Sequence, residues 1–202
     1  MKKIKAITIK DNEQFLRQIS RPVDFNDPDL TDNIETLHEF CKDNEVLAMA
    51  AVQLGIPKRI IYIKNTDLNV IKRRQENNAT EADINHNESR VLINPVIKES
   101  EGLTEYWEAC ASCLDNTGLV KRPYKIVVEY QDINKKMHED TFEGFESTVL
   151  SHEMDHLDGI LHIDIAEKVL VMSADERREY RKTHDYKIIS KTENYKKLIK
   201  KK

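Results

Sequence analysis

Residues 151–156 read Ser-His-Glu-Met-Asp-His, and the interpretation of the whole chain starts from this stretch. His152 and His156 are four residues apart, so on an α-helix both side chains project from one face, about one turn apart. Two imidazoles at that spacing can occupy adjacent corners of a metal tetrahedron, and Glu153 can act as a base toward water beside the metal. Because the pattern also occurs by chance on charged helices, a metal site requires a third ligand elsewhere.

Two other segments carry candidate partners for such a site. Cys110 follows a predicted strand and can supply a thiolate as third ligand, although a free cysteine is more often a buried structural residue. Residues 48–55, Ala-Met-Ala-Ala-Val-Gln-Leu-Gly, are a run of small side chains that lets the backbone approach a ligand closely. The amide of Gln53 in this run can donate to a developing oxyanion. Seen in isolation, such a run is more often a tightly packed turn with an exposed glutamine.

Composition limits the classes of protein to consider. The chain has 202 residues, enough for one domain with a proper core, and 34% of them are charged. Its net charge of -4 argues against general or sequence-specific DNA binding, and no apolar run approaches the length of a membrane span. The three cysteines are an odd number, which favours a reducing compartment over a disulfide framework. We therefore expect a cytoplasmic protein.

The periodicity of apolar residues predicts an α+β fold in which most strands precede the main helix. Helices are predicted over residues 11–18 and 30–40, and strands over residues 59–64, 91–98, 103–108, 124–130 and 136–142. The last two strands form a hairpin, and the strand over 91–98 is interrupted at Asn94-Pro95. Gly144 is expected to open the metal helix and Gly159 to end it. Residues 65–90 are interpreted as a solvated loop with one helical turn at 70–75.

Together the three segments resemble the peptide deformylase family. The family pattern is a Gly-x-Gly-x-Ala-Ala-x-Gln loop, a Glu-Gly-Cys-Leu-Ser segment and a His-Glu-x-Asp-His helix. The corresponding stretches here are Val-Leu-Ala-Met-Ala-Ala-Val-Gln (46–53), Glu-Ala-Cys-Ala-Ser (108–112) and His-Glu-Met-Asp-His (152–156). The third motif is complete, the second is partial, and the first has lost both glycines. Their ordered occurrence is far more specific than any one motif.

The resemblance implies a deformylase-like fold, with antiparallel and mixed strands around a central metal-binding helix. It implies a catalytic domain over residues 1–172 and a charged, helical C-terminal extension over residues 173–202. It also implies one divalent metal, Fe(II), with Zn, Ni or Co able to substitute, held by Cys110, His152 and His156. Cys110 is preferred to Cys113 because the family's glutamate stands two residues before it and the family's serine two residues after it.

The implied activity is removal of the N-formyl group from the N-terminal methionine of newly made peptides. Glu153 would take a proton from water and pass it to the leaving amine. The amide of Gln53, the metal and the backbone N–H of Ala111 would share the oxyanion. The resemblance also implies a substrate pocket for the methionine side chain, lined by Leu47, Ala48, Tyr106, Phe145, Thr148 and Val149.

Several positions depart from the family pattern. Val46 and Ala48 replace glycines, and Tyr106 is bulkier and more polar than the usual aliphatic residue. Thr117 stands where many members carry arginine. We therefore keep as an alternative a divergent deformylase-like protein with low or altered amidase activity, or with a binding role on the same scaffold.

Two further alternatives use other ligands. Residues 152–162 match the pattern H-E-x-x-H-x-x-G-x-x-H in full, so in a zinc protease His162 would replace Cys110. That class needs a methionine turn, and Met172 follows too closely, so we expect His162 to be a half-exposed strand residue instead. A closed structural zinc site would add Cys113 to Cys110 and the two helix histidines, but it leaves Glu153 unexplained.

The end of the chain suggests a partner. The segment from Ser173 is charged and helical in pattern, and its last residues include Lys196, Lys197, Lys200, Lys201 and Lys202. Deformylases act on chains that emerge from the ribosome, so the resemblance allows this lysine-rich tail to contact ribosomal RNA. The simpler interpretation is a solvated end.

Overall fold

The computed structural model describes residues 4–64 and 89–192. The helices are α1 (Ile9–Leu16), α2 (Leu30–Asp43), α3 (Phe145–Leu157), α4 (His162–Ile165) and α5 (Ala174–Thr183). The strands are β1 (Ala48–Ala50), β2 (Ile60–Lys64), β3 (Ser89–Glu101), β4 (Leu103–Ala109), β5 (Asn116–Arg122), β6 (Lys125–Gln131), β7 (Met137–Glu143), β8 (Lys168–Val171) and β9 (Lys187–Ser190). Two short 3-10 helices cover Ala51–Leu54 and Ala111–Cys113. The helical turn predicted at 70–75 lies outside the described residues.

The strands form two antiparallel sheets. Five strands lie in the order β1-β2-β3-β6-β7, and four lie in the order β8-β5-β4-β9. The predicted hairpin is present, because β6 pairs with β7 from Lys125 opposite Glu143 to Gln131 opposite Met137. Helix α3 contacts β1, β2 and β7 of the first sheet and β5 of the second. The expected α+β fold around a central helix is confirmed.

The largest part of the core lies between α3 and the five-stranded sheet. Leu150, Met154 and Leu157 are spaced four and three residues apart, so they form one buried stripe on the helix. This stripe packs against apolar side chains of the sheet, among them Ile61 and Phe142. Because one face of α3 is fixed by apolar packing, other faces of the same helix are available to carry the site.

The interruption predicted in the third strand is a local irregularity and not a break. β3 runs through Asn94-Pro95 from Ser89 to Glu101, and its register against β6 shifts between Ile93 and Val96. Asn94 has a φ of 52°, a left-handed conformation that asparagine tolerates better than most residues. Its side-chain oxygen accepts a hydrogen bond from the backbone N–H of Val23, at 2.7 Å.

The C-terminal segment is helical only in part. Helix α5 begins after Ser173, whose hydroxyl accepts from the backbone N–H of Glu176 while the Glu176 carboxylate accepts from the backbone N–H of Ser173. A helical extension was predicted over residues 173–202. This prediction is wrong after Thr183, because Lys187–Ser190 forms β9 and pairs with β4. The lysines of residues 196–202 lie outside the described residues. Across the described ranges, the structure contains no helix both long and apolar enough to span a membrane.

Candidate metal centre

Glycines at both ends of α3 set the position of the helix. Gly144 precedes it with a φ of 62°, and Gly159 follows it with a φ of 71°, as the sequence predicted. At Gly159 a side chain is also excluded by space, because a Cβ atom there would lie 2.2 Å from the carbonyl oxygen of Arg17. The end of α3 therefore packs directly on the backbone that follows α1.

Three potential ligands meet beside α3. The Sγ atom of Cys110 and ring nitrogens of His152 and His156 all lie within 4.8 Å of one another. Sγ of Cys110 is 3.2 Å from Nε2 of His156. One thiolate and two imidazoles suit a divalent metal, and three protein ligands leave one tetrahedral position for a reactant, as in catalytic sites. The donor set and its spacing therefore fit a divalent metal.

A buried ion-pair network orients one of these ligands. Nδ1 of His152 lies 2.8 Å from Oε2 of Glu108, which leaves Nε2 of the ring for a metal. Arg122 is buried and donates to both carboxylate oxygens of Glu108, at 2.8 and 2.9 Å, and also to Asp155. Burial alone would raise the pKa of Glu108, but the charge and hydrogen bonds of Arg122 and of His152 outweigh it and hold this pKa well below its usual range.

In the sequence, Glu108 served only to set the register of its motif, and neither Arg122 nor Asp155 had a predicted role. Asp155 lies within the helix motif and Arg122 ends β5, so their contact depends on how the sheet packs against α3. The aspartate of the His-Glu-x-Asp-His pattern was the available signal. Its need for a buried cationic partner could have been inferred, but the identity of that partner could not.

Glu153 and Gln53 meet at one backbone amide. The N–H of Ala50 donates to Oε2 of Glu153, at 2.7 Å, and to Oε1 of Gln53, at 3.1 Å. Nε2 of Gln53 in turn lies 3.2 Å from Sγ of Cys110 and 3.1 Å from the hydroxyl of Ser112. Gln53 is 2% exposed, so the alternative of an exposed glutamine on a turn is wrong.

The environment of Glu153 suits proton transfer near neutral pH. Burial raises the pKa of its carboxyl to about 7, against the opposing influence of His152 and of the Ala50 N–H. A cation held by the neighbouring ligands would lower this pKa by favouring the charged form. A carboxyl whose pKa lies near the working pH can both take up and release a proton.

A cavity of about 1130 Å³ opens onto the cluster. Cys110, His152, Glu153, Gln53 and Ala111 all line it. The six residues expected to form the substrate pocket line the same cavity: Leu47, Ala48, Tyr106, Phe145, Thr148 and Val149. The expected site residues other than the buried His156 therefore line one cavity, and this geometry supports binding of an extended ligand beside a metal.

Part of the cavity wall comes from the C-terminal extension, which the sequence analysis did not connect with the site. The Tyr106 ring meets the Phe145 ring edge to face, with centroids 5.2 Å apart, and also the ring of Tyr186, at 6.0 Å. The guanidinium carbon of Arg181 lies 4.6 Å from the centroid of the Tyr106 ring. Tyr186 and Arg181 fall beyond the family motifs, so no pattern in the sequence pointed to them.

The other departures from the family pattern lie away from the aromatic rings. Ala48 and Val46 also line the cavity, but Ala48 belongs to the main core cluster and Val46 packs against the core that includes α2. Thr117 is fully buried in β5, and it is not among the residues that line the cavity. The substitution at Tyr106 is thus the one that places a bulkier side chain directly among the pocket aromatics.

His162 and Cys113 are not among the clustered ligands. The expectation of a half-exposed strand histidine is wrong, because His162 is buried as the first residue of α4. Its Nε2 lies 3.2 Å from the carbonyl oxygen of Asn116, and burial lowers its pKa to about 4. Cys113 is buried in a small apolar cluster with Leu16 and Leu161.

The chain is similar to known proteins in both sequence and structure. The sequence model of the family described as Polypeptide deformylase matches residues 4–171. The peptide deformylase of Novosphingobium aromaticivorans is 37% identical over 154 residues, covering 74% of this chain and 82% of that protein. A peptide deformylase structure from Synechococcus elongatus in complex with actinonin is similar with a TM-score of 0.67 and 26% identity, covering 91% of this chain and 90% of that one. A Met-Ala-Ser-bound class I type b peptide deformylase from Acinetobacter baumannii gives a TM-score of 0.65 and 27% identity, over 79% of this chain and 96% of that one. The chain therefore belongs to the polypeptide deformylase family.

Proposed function

We propose that this protein is a metal-dependent hydrolase that removes the N-formyl group from the N-terminal methionine of newly made peptides. The observation that carries the proposal is the cluster of Cys110, His152 and His156, beside a cavity that Glu153 and Gln53 also line. Membership of the deformylase family supports the same reaction. We propose Fe(II) as the native metal, with Zn, Ni or Co able to take the same ligands, because thiolate and imidazole donors suit all four.

Each side chain of the site has a defined task in this reaction. The metal, when bound, supplies the positive charge that activates water and polarises the formyl group. Glu153 takes a proton from the attacking water and delivers it to the leaving amine. The side-chain amide of Gln53 and the backbone N–H of Ala111 donate to the formyl oxygen, which becomes an oxyanion as water adds to the formyl carbon. Glu108 holds the ring of His152 in the orientation that this arrangement needs.

The cavity beside these groups accommodates the peptide. Leu47, Val149 and the aromatic rings of Tyr106 and Phe145 offer apolar contact for a methionine side chain. The Acinetobacter baumannii relative is described as bound to Met-Ala-Ser, a short peptide that starts with methionine. This description supports a peptide N-terminus as the ligand of the similar cavity.

A deformylase with altered substrate preference is the second candidate. The specific observation in its favour is the aromatic contact of Tyr106 with Phe145 and Tyr186, covered by Arg181. These groups make the side-chain pocket narrower and more polar than it would be with an aliphatic residue at position 106. Under this proposal the chemistry is retained, and turnover of formyl-Met peptides is weakened relative to that of other formyl peptides.

We further propose that residues 1–172 form the catalytic unit of a cytoplasmic enzyme, and that residues 173–202 are an extension that adapts it. The lysine-rich end of this extension would contact ribosomal RNA, because clustered cations bind phosphate backbones. A position beside the ribosome would bring the site to its substrates as they are made.

The experiment that tests the proposed function is release of formate from a formyl-Met peptide by anaerobically prepared, Fe- or Ni-loaded protein. An internal-peptide substrate without a formyl group serves as the control for protease activity. Formate release without peptide-bond cleavage supports the proposal, whereas cleavage of the control peptide would favour the zinc-protease alternative.

A further inference from the structure

Helix α5 forms a cationic wall of the active-site cavity. Its lining residues, apart from Ala174, are all basic: Arg177, Arg178, Arg181 and Lys182. These positions follow an i, i+1, i+4, i+5 spacing, so they share one face of the helix. The acidic residues of the helix do not line the cavity: Asp175, Glu176 and Glu179. The helix thus turns its positive face toward the site, although the whole chain has a net charge of -4.

Contacts with the four-stranded sheet fix this wall in place. Arg181 donates two hydrogen bonds to the carbonyl oxygen of Trp107 and covers the ring of Tyr106. Tyr180 meets the Trp107 ring edge to face, with centroids 5.2 Å apart. After the helix, β9 pairs with β4. A wall held on both sides can present its charges at defined positions.

The remaining cations of the wall keep their charge available to a ligand. Arg178 pairs with Asp175 and Lys182 pairs with Glu179, but both pairs are exposed and three residues apart, so they contribute little stability. Within residues 4–64 and 89–192, no ion pair involves the side chain of Arg177. A ligand carboxylate can therefore replace these exposed partners, or water, at little cost in free energy.

Acidic groups of the cavity offset the charge of the wall only in part. Glu108 is already paired with Arg122 in the buried network. Glu153 lies against the backbone N–H of Ala50, where it serves the reaction. Asp185 is the acidic side chain that the extension contributes to the lining, against four basic ones. The cavity thus combines a catalytic end with a wall of excess positive charge.

We propose that the α5 wall binds carboxylates of the peptide substrate, so that the enzyme prefers formylated peptides with an acidic side chain shortly after the first residue. The proposal rests on the proposed function, because it takes the ligand of the cavity to be a peptide with its first residue at the metal centre. RNA is the less suitable ligand for these cations, since they line the cavity of the catalytic centre. Arg177 and Lys182 are the specificity-determining residues tested below.

The test uses pairs of peptides that differ only by Glu or Gln at the second or third position. Dissociation constants of the unformylated Met peptides are measured by calorimetry on Ni-loaded protein, and kcat/KM is measured for the formylated forms. We expect the Glu peptide to be favoured by about fivefold at low salt, as for a partly exposed ion pair, and the preference to shrink as salt screens it. In the Arg177→Gln/Lys182→Gln variant the preference should fall to about one.

Two control variants separate this effect from loss of charge or fold. Arg177→Lys/Lys182→Arg keeps the charge and should keep the preference. Lys10→Gln/Arg21→Gln removes the same charge at exposed positions away from the cavity, and it should also keep the preference. Equal binding of Glu and Gln peptides by the unmodified protein would overturn the proposal. The proposal would also be overturned if the Arg177→Gln/Lys182→Gln variant kept its peptide preference but bound ribosomes more weakly. That result would mean that these cations bind RNA.

Failure of the proposed function gives a different result. If no formylated peptide is turned over, the dissociation constants still report whether Glu peptides bind more tightly than Gln peptides. A binding preference without turnover would support carboxylate binding by the α5 wall and would contradict the proposed deformylase reaction.

Discussion

Nδ1 of His152 lies 2.8 Å from Oε2 of Glu108, and Arg122 donates to both oxygens of the same carboxylate. The charge of the carboxylate fixes the ring so that its Nε2 faces Cys110 and the remaining ligand. A neutral amide at position 108 cannot accept in the same way from both the imidazole and the guanidinium. The metal centre therefore depends on a residue that does not itself bind metal.

Glu108→Gln should weaken metal binding by about 10- to 100-fold, the range typical of partners that orient a metal-binding histidine. It should also destabilise the fold, because Arg122 is left in the core with a weaker partner. Competition with a chromophoric chelator measures the affinity. Glu167→Gln, which alters a more exposed carboxylate paired with Lys121, is the matched control. Wild-type affinity in Glu108→Gln would remove this role from Glu108.

Replacing each proposed ligand by alanine should abolish stoichiometric metal binding. We expect Cys110→Ala, His152→Ala and His156→Ala to lose the metal, because two ligands hold it far more weakly than three. Cys113→Ala and His162→Gln should retain it, since neither side chain belongs to the cluster. Elemental analysis of the purified variants gives the answer. A Cys110→Ala protein that holds one metal ion at wild-type affinity would refute the ligand assignment, and loss of metal in His162→Gln would restore the zinc-protease alternative.

Opening the side-chain pocket should improve the use of formyl-Met peptides. The double variant Ala48→Gly/Tyr106→Ile removes the methyl at a lost glycine and the ring that contacts Phe145 and Tyr186. We expect kcat/KM on formyl-Met peptides to rise, with a stability loss of about 1 kcal/mol or more because a glycine replaces an alanine in a strand and aromatic contacts are lost. Steady-state kinetics and thermal unfolding measure the two effects. Strong wild-type activity with no gain in the variant would mean that the present pocket already accepts methionine.

Deleting residues 191–202 tests the proposed ribosome contact. Turnover of a short free peptide should be unchanged, because the deleted residues follow β9 and, among the described residues, the last one that lines the cavity is Asp185. Co-sedimentation with ribosomes at low salt should fall, since several lysines are removed and such binding depends steeply on salt. Equal co-sedimentation of the truncated and full-length proteins would contradict the ribosome contact and favour a solvated end.

The parts of the fold that could be predicted from sequence depend on local signals. Helix α3 was predicted because its ligand spacing and the flanking glycines Gly144 and Gly159 both act within a few residues. Strands β1, β5, β8 and β9 were missed. β5 begins with Asn116-Thr117-Gly118, a sequence poor in strand formers, and β9 has only four residues.

The residues of the site also divide into those that a local motif indicates and those that only the fold brings there. Three motifs indicated the residues that now lie together around Cys110, because each motif carries chemistry in its side chains. Arg122, Arg181 and Tyr186 reach the site through pairing of strands and packing of the extension, which no local pattern reports. The burial of His162 was missed for the same reason, since its environment is set by β5 across the fold.

The most direct test of the account is to measure metal content and formate release on one preparation of Glu153→Ala. The account assigns metal binding to Cys110, His152 and His156 and proton transfer to Glu153. It therefore predicts that this variant holds one metal ion per chain while kcat on a formyl-Met peptide falls by about 10²- to 10⁴-fold, the usual contribution of a general base. Turnover at the wild-type rate, or loss of the metal together with turnover, would contradict this division of roles.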